Sequence, residues 1–177
     1  HFDIKRFGAD YAYTVDGGMI GELNYECFHA ASASITVTGK NVHPGSAKGI
    51  MKNAIKLAFE FMNALPDECP ENTEGYEGFY HVENIKGTVE EAAAEYLIRD
   101  HGKYKFEERK ELFVKTADKL NQKYGTEIFH VKICDTYSNM REMIEKDMRI
   151  VDRLIEAMKC VGVEPVTAFR SGTDIRT

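Results

Sequence analysis

Three groups of residues in this sequence have types and spacings suited to chemistry. The string "GKNVHPGSAKG", residues 39–49, sets His43 directly before Pro44 and Gly45. Pro44 restricts the local backbone, and a helix start beyond it would offer partial positive charge to an anionic substrate or an oxyanion. His43 therefore reads as a catalytic group carried on a rigid loop, beside the blander reading of a solvated loop histidine. Asp16, in "TVDGG", would be a metal ligand at the mouth of a sheet, although aspartate ahead of two glycines is also ordinary turn chemistry. The third group is "YSNMRE", with Asn139 and Arg141, and "FRSGTD", with Arg170, Gly172, Thr173 and Asp174. An arginine at a strand end is commonly a solvated charge, but two that converge could hold a carboxylate in bidentate fashion. His29, His81, His101 and His130 lack such settings and read as surface or internally satisfied histidines.

Positioning those side chains falls to elements that hydrophobic periodicity marks out. Residues 11–15 are aromatic and β-branched ahead of Gly17 and Gly18, which predicts a strand ending at Asp16. Further strands are expected at 22–26 and at 33–38, where Ala33, Ile35 and Val37 alternate with polar residues and leave one face wet. Ile50, Ala54, Ala58, Phe61 and Leu65 recur at three and four, predicting an amphipathic helix over 46–65 that Pro66 ends. A surface loop, "DECPENTEGYEG", leads to a strand at 79–85. Local propensity leaves "TVEEAAAEYLIRD" open between helix and strand. Phe106, Phe113, Ala117, Leu120 and Tyr124 mark a helix that Gly125 can cap, followed by a strand at 127–135. Met148, Val151, Ile155 and Met158 mark another helix ending near Gly162, before a last strand at 164–169. With the alanine-rich stretch as a strand, 33–135 reads β-α-β-β-α-β. That is the ferredoxin-like order, so the fold class is α+β. The pieces on either side, 1–28 and 139–177, read as edges of another domain around a central domain at 29–138.

Composition narrows the possible partners. The chain has 177 residues, 43% of them apolar, enough to bury a core. A net charge of −6 with mixed signs argues against a general nucleic-acid binder. No apolar run reaches bilayer-spanning length and no signal peptide opens the chain, so a soluble, cytoplasmic protein is expected. Cys27, Cys69, Cys134 and Cys160 lie far apart without a Cys-x-x-Cys pair, which predicts reduced and mainly buried thiols. A chain that starts at His1 and stops just after a strand-like run reads as an excised piece.

The strings "FGADYAYTVDGGMIGELNYE", "NVHPGSAKGIMKNA", "ENTEGYEGFYH", "NMRE" and "RSGTD", in that order, resemble the peptidase T family. These are bacterial zinc aminotripeptidases of the dinuclear-zinc group that includes acetylornithine deacetylase. The resemblance covers nearly the whole chain. It implies an α/β catalytic domain interrupted by a ferredoxin-like lid that in many members also makes a homodimer. It further implies two zinc ions per active site, with Asp16 as ligand to one. His43 would be the lid histidine that steadies the oxyanion, while Asn139, Arg141 and Arg170 would stand at positions that bind the terminal carboxylate of a tripeptide. The chain departs from the family by lacking its histidine-x-aspartate motif, bridging aspartate, paired glutamates and distal zinc histidine. Ser171 stands in place of a glycine, and Ile175 follows Asp174 where the family continues with glycine. The polypeptide alone is therefore expected neither to hold a dinuclear zinc centre nor to cleave tripeptides. The competing expectations are a free-standing ferredoxin-like binding or oligomerisation module, or part of a sibling deacetylase or dipeptidase.

Overall fold

A computed structural model describes residues 3–15 and 17–170 of the chain. Asp16 and residues 171–177, which carry the end of "RSGTD", lie outside the described residues. In chain order the elements are α1 (Ile4–Phe7), β1 (Glu22–Leu23), β2 (His29–Thr38), α2 (Ala54–Ala64), β3 (Phe79–Gly87) and β4 (Glu91–Asp100). Then follow α3 (Lys103–Tyr124), β5 (Phe129–Tyr137), α4 (Arg141–Ile144), α5 (Arg149–Cys160) and β6 (Val166–Thr167). They divide into two compact units, one running from Phe28 to Ser138 and the other formed by the residues up to Cys27 with those from Asn139 onward.

The central unit is a four-stranded antiparallel sheet in the order β3-β4-β2-β5. With α2 and α3 it completes the ferredoxin-like arrangement. The open choice over "TVEEAAAEYLIRD" resolves as strand β4, because every residue of β4 has a partner on β2, from Glu91 against Thr38 to Asp100 against His29. Helix-favouring alanines are overridden by a full antiparallel ladder. Large and small residues face one another across it: Ala33 opposes Tyr96, Ile35 opposes Ala94, and Val37 opposes Ala92. All six are buried. Above them Phe61 of α2, Phe113 of α3 and Tyr96 form an edge-on cluster, with Phe113 4.9 Å from Phe61 and 5.1 Å from Tyr96 between ring centroids. Gly125 closes α3 at φ 64, its N–H donating to the carbonyls of Asn121 and Gln122.

Several expectations fail locally. The helix predicted over 46–65 begins at Ala54, because Asn53 caps it by accepting from the N–H groups of Ile55 and Lys56. Residues 44–46 form only a 3-10 turn, and Ile50 is exposed. Leu65 then takes extended dihedrals, as a residue before proline must. In the flanking unit residues 11–15 form no strand. Among the described residues they have no ladder partner; the Tyr13 hydroxyl instead donates to the Ile150 carbonyl at 2.5 Å. The strands expected at 22–26 and 164–169 shrink to β1 and β6, which pair in parallel through Glu22 with Val166 and Leu23 with Thr167. Gly21, at φ 93, brings its backbone so close to Glu164 that a Cβ would stand 2.3 Å from the Glu164 carbonyl oxygen. Of the four free thiols only Cys27 is buried; Cys134 and Cys160 are exposed because each falls on the solvent face of its element.

The Tyr96 hydroxyl is buried with no hydrogen-bond partner among the described residues, and burial makes it a weaker acid, its pKa pushed up to about 12. Replacing Tyr96 by Phe should therefore change stability by no more than about 1 kcal/mol in urea unfolding, whereas Phe113→Ala should lose about 3–5 kcal/mol.

Candidate functional site

His43 stands exposed on the loop between β2 and α2. Three constraints hold it there. The neck of the loop is a two-residue antiparallel bridge, with the Lys40 N–H donating to the Lys52 carbonyl at 2.7 Å and the Lys52 N–H returning to Lys40 at 3.0 Å. Gly39 makes this closure feasible: a Cβ on it would lie 2.1 Å from the Val89 carbonyl oxygen and 2.5 Å from that of Lys52. The turn between β3 and β4 backs the neck, with Gly39 N–H donating to the Glu90 carbonyl and Ala54 N–H to that of Val89. Pro44 next restricts His43 to the extended region, φ −53 and ψ 127. Finally, His43 Nδ1 accepts from the Gly45 N–H at 3.2 Å. With Nδ1 accepting, Nε2 is the ring nitrogen left to donate. The expected helix N-terminus beside His43 is absent, so the field of a helix dipole does not act on this ring.

In the flanking unit, Asn139 and Arg141 are brought together around Glu26. Asn139 is buried, and its Oδ1 accepts from the backbone N–H of Cys27 at 3.1 Å and of Arg141 at 3.0 Å. It thus staples the end of the first chain segment to the start of α4. Arg141 donates from Nη1 to Glu26 Oε2 at 3.1 Å and from Nε to Glu145 Oε1 at 2.6 Å. Its hydrogen bonds to Glu145 and then to Glu26 hold the pKa of the Arg141 guanidinium well above its usual range. Glu26 is only 2% exposed, whereas the Glu145 side chain is 48% exposed. Burial raises the neighbouring Cys27 thiol, so it is a poor nucleophile there. Arg170 is half-buried beyond β6.

Sequence reasoning missed Glu26, Glu145 and Gly39. Glu145 was within reach, since it lies four residues after Arg141 on one helical face. Glu26 was not, being 115 residues from its partner. No group of three or more histidine, cysteine, aspartate or glutamate side chains able to hold a metal occurs among the described residues. Those residues alone do not fit a metal centre, and Asp16 lies outside them.

Gly39→Ala should destabilise the chain by about 2 kcal/mol or more, because the new methyl meets backbone on two sides. Nuclear magnetic resonance of the variant should show the His43 ring signals moving to solvent-averaged positions, while those of the Phe61 and Phe113 rings stay in place.

Comparison with known proteins places this geometry. The profile of the peptidase dimerisation domain family matches residues 25–126, more than half of the chain. Peptidase T of Clostridium perfringens is 54% identical over 176 residues and that of Caldanaerobacter subterraneus 51% over 175; each alignment covers 98% of this chain. The chain spans 43% of the length of either relative. An aminopeptidase PepT from Bacillus cereus shares the fold with a TM-score of 0.78 at 18% identity, over 97% of this chain and 46% of its own. With a ferredoxin-like sheet, a loop-mounted histidine and this match in hand, the chain belongs to the peptidase dimerisation domain family.

Proposed function

We propose that the unit from Phe28 to Ser138 is the lid and dimerisation platform of a peptidase T-like enzyme that removes the N-terminal residue of tripeptides, and that the flanking unit is part of its catalytic domain. The observation that carries this reading is the exposed His43 ring held at Nδ1 by the Gly45 N–H, which leaves Nε2 as the ring nitrogen able to donate. Such a donor suits the oxygen of a scissile carbonyl, which gains negative charge as water attacks. A donor already oriented needs no reorganisation at that moment. Arg141 and Arg170 supply guanidinium groups for the terminal carboxylate of the peptide, with Asn139 fixing the backbone from which Arg141 projects. For the metal we propose zinc, two ions per site, with Asp16 as the ligand from this chain and the others from sequence beyond it. Within this proposal the described residues would supply the oxyanion and carboxylate contacts only. No helix among the described residues is long and apolar enough to cross a membrane, and a cytoplasmic setting belongs to the proposal.

The partner proposed for the lid is a second copy. β5 lies at one edge of the sheet, and beside it a groove of about 740 Å³ runs between β5 and α3. Val114 and Ile133 give the groove apolar surface, and Lys110, Lys115, Glu111, Asp118 and Asp135 give it both signs of charge. A surface carrying both signs can oppose a rotated copy of itself.

Two experiments test these readings. Substituting this segment for its counterpart in the Clostridium perfringens peptidase T should leave a tripeptide aminopeptidase. His43→Ala in that chimera should lower kcat by about 10²–10³ with little change in KM. A folded chimera that cleaves no tripeptide, or cleaves acylated amino acids instead, would count against the assignment. In sedimentation, the segment should run as a dimer that Val114→Glu with Ile133→Glu converts to a folded monomer. A dimer surviving both changes would place the interface elsewhere.

A further inference from the structure

We propose that Arg141 is held between two carboxylates of unequal permanence: Glu26 is a fixed positioning residue, and Glu145 is an exchangeable partner that the incoming peptide carboxylate displaces. This rests on the assignment of Arg141 to the substrate carboxylate. Both contacts are direct, at 3.1 Å to Glu26 and 2.6 Å to Glu145, yet their surroundings differ sharply. Glu26 is buried, and separating a buried carboxylate from its cation is costly because the interior replaces little of the lost attraction. Glu145 closes α4 one turn after Arg141, half in water, and half-exposed pairs at this spacing are weak and readily broken.

Guanidinium geometry gives the exchange its chemistry. Nε and Nη2 lie along one edge of the planar group and form a fork for a bidentate carboxylate. Glu145 occupies Nε on that edge, while Glu26 binds Nη1 away from it. Departure of Glu145 thus opens the fork without releasing Arg141, because Glu26 and the Asn139 staple retain it. Glu145 also filters ligands. A free peptide carboxylate can replace it charge for charge and with two hydrogen bonds in place of one, whereas a neutral peptide amide cannot.

The two carboxylates therefore predict opposite signs. In the active chimera, Glu145→Gln should lower KM for a free tripeptide by about two- to fivefold, the range open to a weak exposed pair, and should leave KM for the same tripeptide amide unchanged. Glu26→Gln should raise KM for the free acid by about tenfold or more, with a smaller effect on kcat, and Glu26→Asp should recover part of the loss. Glu145 is exposed, so its variant reports even where the Glu26 variants fail to fold. A KM for the free acid that is unchanged or raised in Glu145→Gln, or that falls equally for acid and amide, overturns the inference while leaving the peptidase assignment intact. An inactive parent chimera would instead strike the assignment itself.

Discussion

Complementary volume across the β2–β4 ladder is the constraint from which the rest of the central unit follows. At four of the five buried pairs a large side chain on one strand meets alanine on the other: Ala31 opposes Ile98, Ala33 opposes Tyr96, and Ala92 and Ala94 oppose Val37 and Ile35. The buried face therefore has nearly constant thickness along its length, and α2 and α3 can settle on it and bring Phe61 and Phe113 against Tyr96. Two large residues at any of these pairs would lift a helix, and two small ones would leave a cavity. The same ladder sets where β2 ends, at Thr38, and thus the point at which Gly39 turns the chain into the His43 loop.

Polar contacts then fix what packing leaves free, in both units by the same device of a buried carboxylate holding an arginine. In the central unit Asp100, 1% exposed, accepts from Arg109 Nε at 2.8 Å and from the Gly102 N–H at 2.9 Å, while Arg109 also reaches Glu68. Gly78 passes so close that a Cβ would lie 2.3 Å from Asp100 Oδ2. The loop between α2 and β3 is thereby tied to the end of β4. Desolvation offsets much of the attraction in such a pair, so its main effect is on geometry. Glu26 stands in the same relation to Arg141, with one difference: Arg141 retains a second, solvated carboxylate and therefore an edge that another anion can claim.

Much of the fold could be read from periodicity because its helices and its central strand are amphipathic with apolar faces toward one core. The β2 alternation and the α3 spacing of Phe106, Phe113, Ala117 and Leu120 are of this kind, and all of these α3 residues are buried. Periodicity failed where local chemistry overrode it. Ile50 keeps helical spacing with Ala54 but precedes the Asn53 cap, so it lies in a turn and stays exposed. Residues 11–15 have strand propensity without a partner strand, and propensity has no force without a ladder. His43 was legible through its neighbours Pro44 and Gly45, both of which contribute to holding it. The Lys40–Lys52 neck and the Glu26–Arg141 pair were not, since pairing between distant segments leaves no mark in local spacing.

A reactive group on an exposed loop has too much freedom to be useful unless that freedom is removed in the ground state. At His43 each kind of freedom meets a separate restraint. The neck fixes where the loop closes, Pro44 limits the backbone torsions, and the Gly45 N–H holds the ring at Nδ1. Gly45 serves because a Cβ there would stand 3.2 Å from Nδ1, tighter than a relaxed contact. The contact that positions the ring also fixes which of its two nitrogens is left to donate.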